Sequence, residues 1–186
     1  MKVVSIALLT LTLLISHTVF AQTILFDGSS LDSFDQLGDA NWNISEDVVE
    51  ANSGSGHLVT QNSYANFILN VDFWVDDSAN SGIFIRCQDP EMITPDTCYE
   101  VNIFDQRPDQ TYRTGGIVYF AAPAVQINAG GQWNNFEIRA EGSRILVMMN
   151  GVITVDMDND TFSDGPLTLQ YGSGIVRFRN AQIQRL

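Results

Sequence analysis

Phe67-Ile68-Leu69-Asn70-Val71-Asp72-Phe73-Trp74-Val75 decides the fold class. Phe67, Leu69, Val71, Phe73 and Val75 alternate with Ile68, Asn70, Asp72 and Trp74. A period of two is that of a strand with one buried face. Working outward, residues 82–87 alternate again with Ile83 and Ile85 inward, and residues 99–105 follow with Val101 and Ile103 inward. Residues 116–120, 136–141, 144–149, 152–157, 167–171 and 175–186 also read as strands. Asn150-Gly151 between two apolar runs is a strong hairpin signal, because both residues tolerate positive φ. No stretch keeps a capped 3.6-residue period. The expectation is an all-β jelly-roll sandwich of two antiparallel sheets, in one domain over residues 22–186.

The first 21 residues read as a secretory signal peptide rather than as part of the fold. Lys2 gives a basic start, residues 3–15 are almost wholly apolar, and Val19-Phe20-Ala21 supplies small residues at the cleavage positions. The run is shorter than the roughly 20 residues of a membrane span, and no basic stop-transfer cluster follows it. A secreted or periplasmic protein without a membrane span is therefore expected. In such a compartment Cys87 and Cys98 are expected to pair, closing the ends of the loop between them, the alternative being two buried free thiols.

Missing residue types narrow the chemistry. Lys2 is the only lysine, so the mature chain has no Schiff-base lysine and no P-loop. With His17 in the signal, His57 is the only remaining histidine, which excludes a multi-histidine metal site. His57 sits in a glycine-rich stretch and reads as structural or exposed. A net charge of −13 disfavours nucleic acid and anionic membranes. Carboxylate chemistry survives, which suits glycosidic bonds or the holding of a divalent cation such as calcium.

Read as two successive hairpins, the strands at 67–75, 82–87 and 99–105 place Asp72 beside Arg86 and Arg86 beside Glu100. The same register places Trp74 beside Phe84 and Phe84 beside Asn102. Gln170 and Thr168 share a face of a later strand. Aromatic rings that stack on sugar C–H faces, amides and an arginine between carboxylates suit a carbohydrate ligand. A plain solvated charge row is the alternative.

These segments also resemble a known family. Leu25-Phe26-Asp27-Gly28, Asn80-Ser81-Gly82-Ile83-Phe84-Ile85-Arg86, Tyr99-Glu100-Val101-Asn102-Ile103-Phe104-Asp105, Thr114-Gly115-Gly116-Ile117-Val118-Tyr119 and Trp133-Asn134-Asn135-Phe136-Glu137-Ile138 are similar, in order, to motifs of the 3-keto-disaccharide hydrolase domain family. Asn102 stands where that family usually has glutamine, and Gln106-Arg107-Pro108 where it often has a histidine. The resemblance implies a concanavalin-like fold and cleavage of 3-keto-glycosides, by hydrolysis or by elimination. It points to Glu100 as base or acid, Arg86 as oxyanion stabiliser and Asp105 as a neighbouring acid or metal ligand. Asp72, Trp74, Phe84, Asn102, Tyr119, Trp133 and Gln170 are the expected sugar contacts. A non-catalytic carbohydrate-binding module and a laminin-G-like adhesion domain remain alternatives, since the fold hosts all three.

Overall fold

A computed structural model of the chain describes residues 22–186; the predicted signal segment lies outside the described residues. Thirteen strands form two antiparallel sheets. The larger sheet runs β11 (Val152–Asp158), β10 (Arg144–Met149), β9 (Trp133–Glu141), β6 (Phe67–Val75), β13 (Val176–Arg185), β4 (Val48–Ala51) and β3 (Asn43–Ser45). β1 (Gln22–Phe26) joins it by pairing with the second half of β13, in line with β4 on the first half. The smaller sheet runs β2 (Phe34–Gly38), β5 (Gly56–Tyr64), β12 (Gly165–Ser173), β7 (Asn80–Ile85) and β8 (Tyr99–Ile103). This is the concanavalin-like jelly-roll sandwich.

The core lies between the sheets. The odd-numbered row of β6 is buried, and Phe73 stacks on Phe136 of β9 with ring centroids 4.7 Å apart. Leu58, Ile83, Val101 and Leu169 meet it from the smaller sheet. Trp42 touches Tyr171 of one sheet and Phe178 of the other, which joins the layers at one margin. The Asn150-Gly151 turn joins β10 to β11, with both residues at positive φ.

Two expectations fail at connections. β6 does not hairpin into β7, because the chain crosses from one sheet to the other between them. Asp76 fixes that crossover: its carboxylate accepts from Ser78 N and from Ile175 N, so it ties the β6–β7 and β12–β13 crossovers together. Residues 116–120 form no named strand. They run beside β8, where Gly115 N and Val118 N donate to Asn102 O and Glu100 O. Ile117 bridges Val101 and then turns back on Ala121. β8 is thus an edge strand with every residue buried.

Cys87 and Cys98 are bonded and close the 88–97 loop. With Phe84 and Ile93 they make a small apolar cluster apart from the main core, on the other face of the smaller sheet. No helix among the described residues is long and apolar enough to cross a membrane.

Candidate functional site

Strand pairing in the smaller sheet sets out two rows on its outer face. One runs Leu37, His57, Gln170, Gly82, Asn102, and the next runs Asp35, Val59, Thr168, Phe84, Glu100. Each row crosses five strands at about 4.8 Å per step. Gly82 has no side chain, and the small depression this leaves, flanked by Gln170, Asn102 and Phe84, is occupied by Glu100. A β-carbon at Gly82 would meet Glu100 Cγ and Oε1 at 3.3 Å.

The polar groups around this depression are held but not saturated. Glu100 is 5% exposed, and among the described residues no hydrogen bond reaches its carboxylate. Burial pushes its pKa up to about 7, against a lowering by the Arg107 cation. Asn102 donates its amide nitrogen to Tyr112 O, and its Oδ1 is buried without a partner. Gln170 Oε1 and Arg107 Nε are likewise buried and unpartnered. Buried polar atoms without partners are rare, because each costs the loss of its hydration. Three around one carboxylate mark a place for a hydroxylated ligand.

His57 belongs to this face, contrary to its reading as structural or exposed. Its Nδ1 is 3.1 Å from Thr168 Oγ1, and its ring stands edge-on to Phe84 at 5.2 Å. Burial lowers its pKa to about 4, so the imidazole is neutral at pH 7. Among the described residues Nε2 has no protein partner. His57-Leu58-Val59 does not alternate, so nothing in the sequence marks the face that His57 takes. Arg107 lies in a loop, where no period marks which way a residue faces.

Other expected site residues lie elsewhere. Arg86 follows the last residue of β7 with φ at +53°, which breaks the alternation that would have set it beside Glu100. It is 1% exposed and fills the end of the sandwich, donating to Ala65 O through Nε and Nη2 and to Phe162 O through Nη1. Burial lowers its pKa, against Tyr99 and Asp164. It cannot serve an oxyanion on the sheet face. Asp105 is also spent on structure: it accepts from Thr114 Oγ1, Ala129 N and Gly130 N, with Arg113 at 3.8 Å.

Asp72, Trp74 and Trp133 lie on the outer face of the larger sheet, the opposite side of the molecule. Asp72 pairs there with Asn135, Asn180 and Arg179. Arg177 stacks over Trp74 at 4.5 Å and Arg179 over Trp133 at 4.0 Å, so both indoles already carry a guanidinium. The expected Asp72–Arg86–Glu100 row therefore does not exist, while Phe84, Glu100, Asn102 and Gln170 do share one face. Tyr119, 58% exposed, stands at its rim with its ring edge-on to Tyr112. Among the described residues no group of three or more His, Cys, Asp or Glu side chains is placed to hold a metal ion.

The fold is shared with solved structures. A candidate glycosyl hydrolase from Parabacteroides distasonis matches with TM-score 0.80 at 20% identity, over 89% of this chain and 94% of that one. A second from the same organism matches with TM-score 0.76 at 24% identity, over 89% and 100%. The carbohydrate binding module CBM66 from Bacillus subtilis matches with TM-score 0.66 at 14% identity, over 82% and 95%. No curated protein is detectably similar in sequence. The motifs at 80–86, 99–105 and 133–138 fall within the span, residues 21–184, matched by the family model described as the 3-keto-alpha-glucoside-1,2-lyase-like domain, and the chain belongs to that family.

Proposed function

We propose that the outer face of the smaller sheet binds a 3-keto-glycoside over Gly82 and cleaves it by elimination. The observation that carries this reading is Glu100: a buried carboxylate with no protein partner, set among unpartnered polar atoms. Family membership and the likeness to the Parabacteroides proteins support the substrate class.

A ketone at C3 acidifies the proton on C2. Glu100 takes that proton, and the electron pair passes into the C1–C2 bond as the C1–O bond breaks. The departing oxygen gains a proton, so an unsaturated 3-keto sugar and a free alcohol leave. A pKa near 7 lets Glu100 accept a proton at neutral pH without binding it irreversibly. Arg107 offsets the negative charge that collects on the ketone oxygen. Asn102 Oδ1 and Gln170 Oε1 accept from ring hydroxyls, and Phe84, buried against the disulfide, supports the site from beneath. The departing oxygen takes its proton from a water that neutral His57, across Phe84 from Glu100, holds by a hydrogen bond, and Glu100 returns the C2 proton to solvent. With residues 1–21 read as a signal peptide, we propose that this work is done outside the cytoplasm.

The test is incubation with a 3-keto-disaccharide deuterated at C2 and with its unoxidised parent, each with and without chelator. Cleavage of the keto form alone, with loss of the C2 deuterium, is the expected result. Cleavage that retains the deuterium would mean displacement at C1. The likeness to CBM66 favours one second reading, a carbohydrate-binding module, which predicts binding of both sugars and cleavage of neither.

A further inference from the structure

A cleft of about 650 Å³ opens on the same face, beside the Gly82 depression. It falls within the range of about 300–1,000 Å³ typical of small-molecule sites. One wall is the outer face of β2 and β5, with Asp35, Leu37 and Val59; the other is the disulfide-closed loop, with Pro90 and Glu91. Asp35 and Val59 belong to the row that ends at Glu100. Val59 is two strands from Phe84, about 10 Å, a span that two linked pyranose rings bridge.

The lining has a distinct charge. Asp35, Glu91 and Asp164 are its ionisable side chains, and it holds no arginine, lysine or histidine. Gln61 donates its amide to Asp35, and Gln88 donates to Asp164 O, so two of the neutral donors are already engaged. Leu37, Val59 and Pro90 offer apolar surface for a ring. An anion entering the cleft would meet three carboxylates and no cation, with only the Gln36 amide and the Ser63 hydroxyl left as neutral side-chain donors, whereas hydroxyls or an amine would find acceptors.

We infer that this cleft receives the group attached at C1 of the 3-keto sugar, and that it selects an uncharged or amine-bearing sugar and rejects one with a carboxylate. This rests on the elimination reading above. It makes Asp35 and Glu91 specificity residues of the reaction, and the disulfide the clasp that holds the second wall in place.

Three 3-keto-disaccharides that differ only in the second ring test it: one with a neutral ring, one with an amine and one with a carboxylate. The intact chain is expected to favour the first two over the third by at least about tenfold in kcat/KM. In the double variant Asp35→Asn, Glu91→Gln, whose substituted side chains are both exposed, that ratio is expected to shrink several-fold. Equal turnover of all three, or an unchanged ratio in the double variant, overturns the inference and leaves the elimination reading standing. Titration of the same three sugars onto Glu100→Gln separates the converse case. Charge-selective binding there, with no cleavage by the intact chain, keeps the subsite and removes the reaction. Binding without selectivity removes the subsite.

Discussion

Glu100 rests where a side chain at Gly82 would be: a β-carbon on that glycine would stand 3.3 Å from both Cγ and Oε1 of the glutamate. The missing side chain therefore sets the carboxylate's position as well as the depth of the depression. In Gly82→Ala the carboxylate must give by a few tenths of an ångström, and the added methyl takes its place. Turnover is expected to fall at least about tenfold, with the melting temperature within a few degrees of the parent because alanine is the better strand residue. A variant as active as the parent would place the ligand elsewhere.

Glu100 and His57 give folding stability opposite pH slopes. The folded Glu100 holds its proton up to about pH 7, against 4.5 for an ordinary glutamate, so stability falls as pH rises through that window. The folded His57 resists protonation down to about pH 4, against 6.5, so stability falls as pH drops through its window. Each window is worth up to about 3 kcal/mol. Glu100→Gln is expected to raise the unfolding free energy at pH 8 and leave it little changed at pH 4. His57→Gln should be more acid-resistant than the parent. Denaturant titrations at pH 4, 6 and 8 read both, and parallel curves for parent and variants would sink the assignment.

The same carboxylate sets a rate profile. As a base it must be ionised, so kcat/KM should rise with pH through an apparent pKa near 7. Glu100→Gln should lower turnover by at least about 100-fold, and His57→Gln by a similar order if it holds the water that protonates the departing oxygen. A flat rate between pH 5 and pH 8 would remove Glu100 from the role of base.

Arg86 should behave as a structural residue despite its place in a family motif. Arg86→Met leaves Ala65 O and Phe162 O without their donor inside the sandwich, and a loss of about 3 kcal/mol or more is expected. The protein that remains folded should keep the parent's KM and its dependence on pH. A drop in kcat at unchanged stability would return Arg86 to the chemistry.

Trp74→Ala and Trp133→Ala should change sugar turnover by less than about twofold, since both lie on the far sheet. Each should cost about 0.5–1 kcal/mol of cation–π stacking beyond lost packing. Sugar affinity that depends on Trp133, which is 36% exposed, would indicate a ligand on that sheet.

These residues show what the sequence discloses. Period-two alternation identified β6 over Phe67–Val75, and it identified the inward rows of β7 and β8. Parity also grouped Phe84, Glu100, Asn102 and Gln170, because residues of one parity keep one face whatever the register. Parity does not say which sheet a strand joins. The stretch from Asp76 to Ser81 reads as a hairpin turn and is in fact a crossover, which moved Asp72 and Trp74 to the far side. Nor does parity foresee a left-handed residue. One positive φ at Arg86 ended the alternation and buried a cation that the motif had seemed to offer for catalysis. The short strands β1 to β4 and the nine-residue β5 carry little alternation of their own, and with them went the setting of His57.

The strip of backbone beside β8 has a bearing on how the protein meets other copies of itself. Exposed sheet edges invite pairing with a neighbouring chain, and proteins commonly guard them with lysines. This chain has only Lys2. At β8 it uses geometry in place of charge: the 115–118 segment takes up the edge carbonyls, then folds back at Ile117, so the ladder ends in a turn to which no further strand can be added in register. The sheet that carries the site is thereby closed to polymerisation on its working side.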